Sequence, residues 1–257
     1  MTGASDPAGG NGDRPVLILG ARSDMALALA RDLAARGHPL QLAMRDPERL
    51  ERDRADLAIR HGVQVSMHAY DALAPAEDAV PALLADLPAP PRIVISAVGL
   101  LGDQAADAAD PARARMVIAS NFTGPALALE IIAADMAARG EACAVIGIGS
   151  VAGDRGRARN YVYGAAKAGF AAYLSGMRQK YAGTALHVMT VKPGFVATAM
   201  TEGMDLPAPL TQTPEEMSAG ILRSLDRGRP VHCNWRWRLV MTVIRLLPEK
   251  IFMRTKF

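Results

Sequence analysis

A doubly wound α/β fold, in which one parallel sheet carries helices on both faces, is the class this sequence predicts, and three observations predict it. Short continuous apolar runs of strand length alternate with alanine-rich stretches of helical length from Val16 onward. Parallel strands need crossover connections, and the stretches between the runs are long enough to be those crossovers. Half of the residues are hydrophobic, which suffices for a sheet buried on both faces. The 257 residues read as one domain over 14–257, preceded by a flexible tail over 1–13.

The first strand, 16–19, ends at Gly20, and Ser23 or Asp24 then starts an Ala- and Leu-rich helix that stops at Gly37. Residues 40–44 form the next strand, Asp46-Pro47-Glu48 starts a helix, and 63–68 is a strand. An alanine-rich helix then runs to Leu87, with Pro88, Pro90 and Pro91 behind it. Buried strands follow at 93–97 and 144–148, separated by a long helix around Asn121, and again at 187–191. Thr213-Pro214-Glu215-Glu216 offers an N-cap threonine, a proline at the first helical position and a glutamate at N3, so a helix begins there. The segment 198–212 holds Met200, Met204, Leu206, Pro207 and Pro209 without periodicity and reads as a flexible apolar loop. Its place after the last core strand suits a cover over a site at the strands' C-terminal ends.

A net charge of only +3 argues against nucleic acid as the main partner, yet the charge is unevenly placed. Residues 234–257 hold Arg236, Arg238, Arg245, Lys250, Arg254 and Lys256 against the single acid Glu249, interleaved with Trp235, Trp237 and the apolar stretch 239–247. That composition suits peripheral contact with an anionic membrane surface, with packing on a neighbouring subunit as the alternative. Cys143 and Cys233 form no C-x-x-C pair and the five histidines show no ligand spacing, so neither a disulfide framework nor a metal site is expected and a cytoplasmic location fits. The N-terminus lacks the basic start and apolar core of a signal peptide, and no apolar run approaches the ~18 residues that span a membrane.

Chemistry enters with Tyr163 and Lys167, one helical turn apart in Tyr163-Gly-Ala-Ala-Lys167, and with Ser150 thirteen residues before the tyrosine. A phenol titrates near ~10 in water and is a poor proton donor or acceptor at neutral pH unless its anion is stabilised. The i,i+4 spacing sets an ammonium on the same helix face as the phenol, and Ser150, at a strand end, can hydrogen-bond a substrate oxygen. This is a proton-transfer group suited to a carbonyl.

Gly20, Arg22, Ser23, Asp24 and Met25 lie where the first strand meets the first helix, so the helix N-terminus faces an anion such as a pyrophosphate. Asp24 is expected to cap that helix rather than to oppose the pyrophosphate. At the end of the second strand, where an acid would accept from a ribose diol, stand Met44 and Arg45. Arg45, helped by Arg22, favours a 2′-phosphate, and hence NADP(H) over NAD(H).

Together these residues resemble the short-chain dehydrogenase/reductase family, single-domain Rossmann-fold oxidoreductases, from Val16 onward. The resemblance implies a catalytic tetrad of Asn121, Ser150, Tyr163 and Lys167. In it Tyr163 exchanges the proton, Lys167 lowers the phenol pKa and binds the nicotinamide ribose, and Asn121 holds a water that links Lys167 to solvent. It also places Asp71 near the adenine, and Pro193, Gly194, Val196 and Thr198 against the nicotinamide carboxamide. Two stretches depart from the family: GARSDMA replaces its glycine-rich loop, and Ser96-Ala97-Val98-Gly99 replaces N-N-A-G. Val98-Gly-Leu-Leu-Gly-Asp103, the Arg-rich stretch before Val162 and the run ending in Pro248-Glu-Lys-Ile-Phe252 are similar to the branch that reduces a decaprenylphosphoryl-linked keto-pentose. Arg155, Arg157 and Arg159 are then expected to hold a substrate phosphate. A soluble reductase of a small ketone and a non-catalytic NADP(H) sensor are the competing readings, and the family implies a homodimer or homotetramer.

Overall fold

The structure, a computed structural model, describes residues 14–255. Strand β1 (Val16–Leu19) and helix α1 (Asp24–Ala35) are followed by β2 (Leu40–Met44), α2 (Glu51–His61), β3 (Val65–Ala69), α3 (Ala76–Asp86) and β4 (Ile93–Ser96). A helical crossover made of α4 (Gln104–Ala109), α5 (Pro111–Ile118) and α6 (Gly124–Ala138) leads to β5 (Cys143–Ile148), α7 (Tyr161–Lys180) and β6 (Leu186–Val191). Then come β7 (Phe195–Val196), β8 (Thr211–Gln212), α8 (Pro214–Asp226), β9 (Val231–His232), α9 (Trp235–Leu246) and α10 (Glu249–Phe252). The tail expected over 1–13 lies outside the described residues, as do Lys256 and Phe257.

Seven strands form one parallel sheet in the order β3-β2-β1-β4-β5-β6-β9. All four residues of β1 are fully buried, because alternate side chains enter opposite faces and each face is covered. Val16 and Ile18 pack with Leu29 of α1 and Ile221 of α8, whereas Leu17 and Leu19 pack with Leu129 of α6 and Phe170 of α7. From β1 the chain runs outward to β2 and β3, then crosses back to β4 on the other side of β1. The connections therefore diverge at the C-terminal ends of β1 and β4, and a crevice opens there.

Thr213 and Glu216 form the expected capping box, each side chain accepting from the other's backbone N–H at 3.1 Å. Asp46 makes no capping bond, and a 3-10 turn (Pro47–Leu50) intervenes before α2. The segment 198–212 is more ordered than a flexible loop: it contains 3-10 turns at Ala199–Thr201 and Ala208–Leu210, and β7 pairs with β8. The helical run Pro111–Ala138 spans 28 residues and is long and apolar enough to cross a membrane, although half of its most apolar window is buried inside the fold. Its alanines and leucines serve the core face of the crossover, with Ala128, Leu129 and Ile132 buried beneath the sheet.

Candidate active site

At the crevice, Gly20 adopts φ +75°, and a Cβ there would meet Val98 N at 2.9 Å. Only glycine satisfies both the turn and the approach of β4's exit. Ser23 provides the N-cap of α1, its hydroxyl accepting from Ala26 N at 3.2 Å. Asp24 does not cap, contrary to expectation, because the cap position is taken one residue earlier. Its carboxylate reaches across the crevice and accepts from Ala199 N at 2.7 Å, a tie between residues 175 apart. Asp24, Thr198 and Ala199 border a cavity of about 860 Å³ between α1 and α8. Met25 is half-buried, Arg22 and Arg45 are exposed, and Asp71 is exposed with its carboxylate accepting from Leu73 N.

Ser150 follows β5, where its hydroxyl accepts from Ala152 N at 3.1 Å. Tyr163 and Lys167 come from the first two turns of α7. The strand-end turn lies directly on that helix, since a Cβ on Gly153 would approach Ala168 N to 2.6 Å. This close packing carries Ser150 to the Tyr163 phenol as a hydrogen-bond partner. Burial pushes the phenol up to about 12, and the Ser150 hydroxyl and then the Arg157 guanidinium pull it back. Lys167 was expected to do this. Its Nζ instead donates to Ile148 O at 3.0 Å and lies 5.8 Å from the Tyr163 ring centroid, while burial draws the ammonium down to about 8.

Asn121 is fully buried in a π-helical stretch (Ala119–Thr123) between α5 and α6. Its amide nitrogen donates to Leu100 O and Val117 O, at 2.6 and 2.8 Å, and its oxygen accepts from Leu100 N at 3.2 Å. Both amide hydrogens are thus committed to backbone, and the side chain pins the turn that carries Gly99 rather than presenting a donor to water. Gly99 stands beside both groups: a Cβ there would lie 3.0 Å from Asn121 Oδ1 and 3.4 Å from Lys167 Nζ.

Tyr163 opens into a second cavity of about 720 Å³. One wall is polar, with Asp103, Gln104, Asp107, Arg157, Arg159 and Asn160. The facing wall is apolar, with Phe195, Met204, Leu206, Pro207, Leu210 and Trp237. Trp237 belongs to the C-terminal segment expected at a membrane or subunit surface, yet it is 1% exposed. Its indole packs on Gly194, stands edge-on to Phe195, and donates to Leu210 O at 2.7 Å. Pro193 and Val196 are buried and Thr198 is half-buried. Met241 and Ile244, at i+4 and i+7 from Trp237, are buried with it, a helical stripe that the sequence offered and that composition alone obscured.

Arg155 is corrected as well. It donates to Ile244 O and Leu247 O at 2.6 Å, pairs with Glu249 at 2.7 Å and lies 3.9 Å from the Phe252 ring centroid. Those bonds clasp α9 and α10, whose carbonyls at the helix end lack intrahelical donors. Arg157 and Arg159 remain at the cavity.

The family model for short chain dehydrogenases matches residues 14–207. The chain belongs to the short-chain dehydrogenase/reductase family. It is 38% identical over 246 residues to an uncharacterized oxidoreductase of Mycobacterium tuberculosis, covering 95% of this chain and 97% of that protein. An uncharacterized oxidoreductase of Streptomyces coelicolor is 35% identical over 94% of this chain and 95% of its own. Among solved structures, the short-chain dehydrogenase from Sphingobium yanoikuyae in complex with NADPH aligns with a TM-score of 0.75 at 26% identity, covering 92% of this chain and 97% of that one. As a member of this family the protein is an NAD(P)-dependent oxidoreductase acting on a CH–OH/C=O pair. The residues present fit the dinucleotide, because Gly20 leaves open the ground a Cβ would fill and α1 points its N-terminal donors at the same crevice.

Proposed function

We propose that this family member is an NADP(H)-linked ketoreductase whose substrate is a keto-sugar carried on a polyprenyl phosphate, met at the inner face of a membrane. Bound in the crevice, the nicotinamide supplies or accepts hydride. Tyr163 donates the proton to the nascent alkoxide or takes it back in the reverse direction. Ser150 orients the substrate oxygen and the phenol together, and Lys167 holds positive charge behind the phenol. Further copies of the chain complete a homodimer or homotetramer.

Preference for the 2′-phosphate rests on Arg22 and on Arg45, which stands directly after the last residue of β2. Arg45→Asp is expected to shift the ratio of kcat/KM for NADPH and NADH on the order of tenfold toward NADH, since a charge-assisted bond to phosphate is exchanged for repulsion. Steady-state kinetics with both cofactors checks this, and a native protein that already prefers NADH would contradict it.

The lipid part of the reading rests on one observation, the two faces of α9. Trp237 on the inner face lines the cavity, while Trp235, Leu239, Val243 and Leu246 are exposed outside among Arg236, Arg238 and Arg245. An apolar stripe rimmed by cations suits an anionic bilayer. Removing 234–257 would strip out the buried Trp237, so the test is a surface variant, Trp235→Ala with Leu239→Ser and Leu246→Ser. Sedimentation with phosphatidylglycerol vesicles is expected to pull down the native protein at low salt, less at high salt, and the variant weakly. Native protein that ignores the vesicles and reduces water-soluble ketones efficiently would favour the small-ketone reading.

A further inference from the structure

The polar wall beside Tyr163 contains an amide whose orientation the fold dictates. Gln104, the first residue of α4, lines the catalytic cavity, and its Oε1 accepts from Val162 N at 3.1 Å. A backbone N–H can only donate, so the atom facing it is the oxygen, and Nε2 is necessarily the group turned elsewhere. That Nε2 is buried and has no hydrogen-bond partner among the described residues. Asn160, at the mouth of α7, lines the same cavity, and its buried Oδ1 likewise lacks a partner. Its side chain makes no capping bond, the start of α7 being served by Gln104 instead.

Buried amide donors and acceptors are nearly always paired, so two unpaired ones on residues that line the phenol's cavity call for a reason. A donor and an acceptor on residues lining one cavity suit a hydroxyl, which accepts from one and donates to the other. The acids on this wall do not fill that need: Asp103 caps α4 through Ala106 N, and Asp107 pairs with Arg113. Arg157, on the same wall, adds a cation that favours oxygen-rich groups near the carbonyl.

We infer that Gln104 and Asn160 form a specificity subsite for a hydroxyl on the carbon next to the ketone, with Arg157 beside it, so that the enzyme selects α-hydroxy ketones. The inference rests on the reductase reading and narrows it to a substrate class. Binding an α-hydroxyl satisfies the two amides only when the carbonyl lies at Ser150 and Tyr163. A ketone without it leaves both unpaired, which is the situation in which sites built to bond a hydroxyl discriminate most strongly.

Gln104→Glu isolates the effect. The carboxylate keeps an oxygen for Val162 N, and so keeps α7 capped, but replaces the donor by an acceptor. Each protein is assayed with NADPH on 2-hydroxycyclohexanone and on cyclohexanone, and the ratio of the two kcat/KM values is compared between native protein and variant. The comparison cancels the hydroxyl's intrinsic activation of the carbonyl and any effect of the new charge on the phenol. The native ratio is expected to exceed the variant's by roughly tenfold, with melting temperature and NADPH affinity unchanged. Equal ratios overturn the inference and leave the reductase reading standing. Turnover of neither ketone by native protein overturns the reductase reading and this inference with it.

Discussion

Tyr163→Phe is expected to lower ketone turnover by about two to four orders of magnitude, the usual worth of a positioned proton donor, while NADPH affinity stays within a few-fold of native. The substitution keeps the ring in its place on α7 and removes only the hydroxyl that meets Ser150. A pH arm sharpens the result. Reduction needs the protonated phenol and oxidation needs the phenolate. With the phenol pushed up to about 12, reduction should hold through neutral pH, and alcohol oxidation should climb as pH rises toward the phenol's pKa. Steady-state rates in both directions check this, and the Phe variant should lose the rise in oxidation together with the activity.

Trp237→Ala should carry the largest stability loss of any single change outside the central sheet, about 3–5 kcal/mol for a fully buried aromatic side chain. Three contacts go at once: the face against Gly194, the edge against Phe195 and the bond to Leu210 O. Because Leu210 closes the segment 198–212 and both residues line the catalytic cavity, KM for the ketone should rise in protein that remains folded. Denaturant unfolding measures the first effect and substrate saturation the second. A loss below about 1 kcal/mol would mean that the indole is replaceable by neighbours and that α9 does not brace the site.

Much of the fold was legible because its signals are local. Strands 16–19 and 40–44 announce themselves as apolar runs, and the Thr213 capping box needs only four residues. The two-residue strands β7, β8 and β9 carry no period to read, and they exist only because neighbouring backbone presents itself. Asn121 could be found by its motif, but not the π-helical stretch that commits its amide to Leu100 and Val117. Asp24 and Arg155 were misplaced for one reason: their partners, Ala199 and the end of α9, lie far along the chain, so local charge logic assigned them to the nearest plausible anion or helix end. Gln104 gave no signal, since a lone glutamine acquires meaning only when α4 lands on the start of α7.

The central claim is that this chain moves hydride from a reduced nicotinamide to a ketone carbon beside Tyr163. The most direct measurement uses NADPH carrying deuterium at C4 of the nicotinamide, with 2-hydroxycyclohexanone as substrate and mass spectrometry of the product. The account predicts deuterium on the new carbinol carbon from one of the two C4 labels, formed by native protein and nearly absent with Tyr163→Phe. Alcohol without label from either deuterated cofactor, or no ketone-dependent consumption of NADPH across hydroxylated and plain ketones, would contradict it.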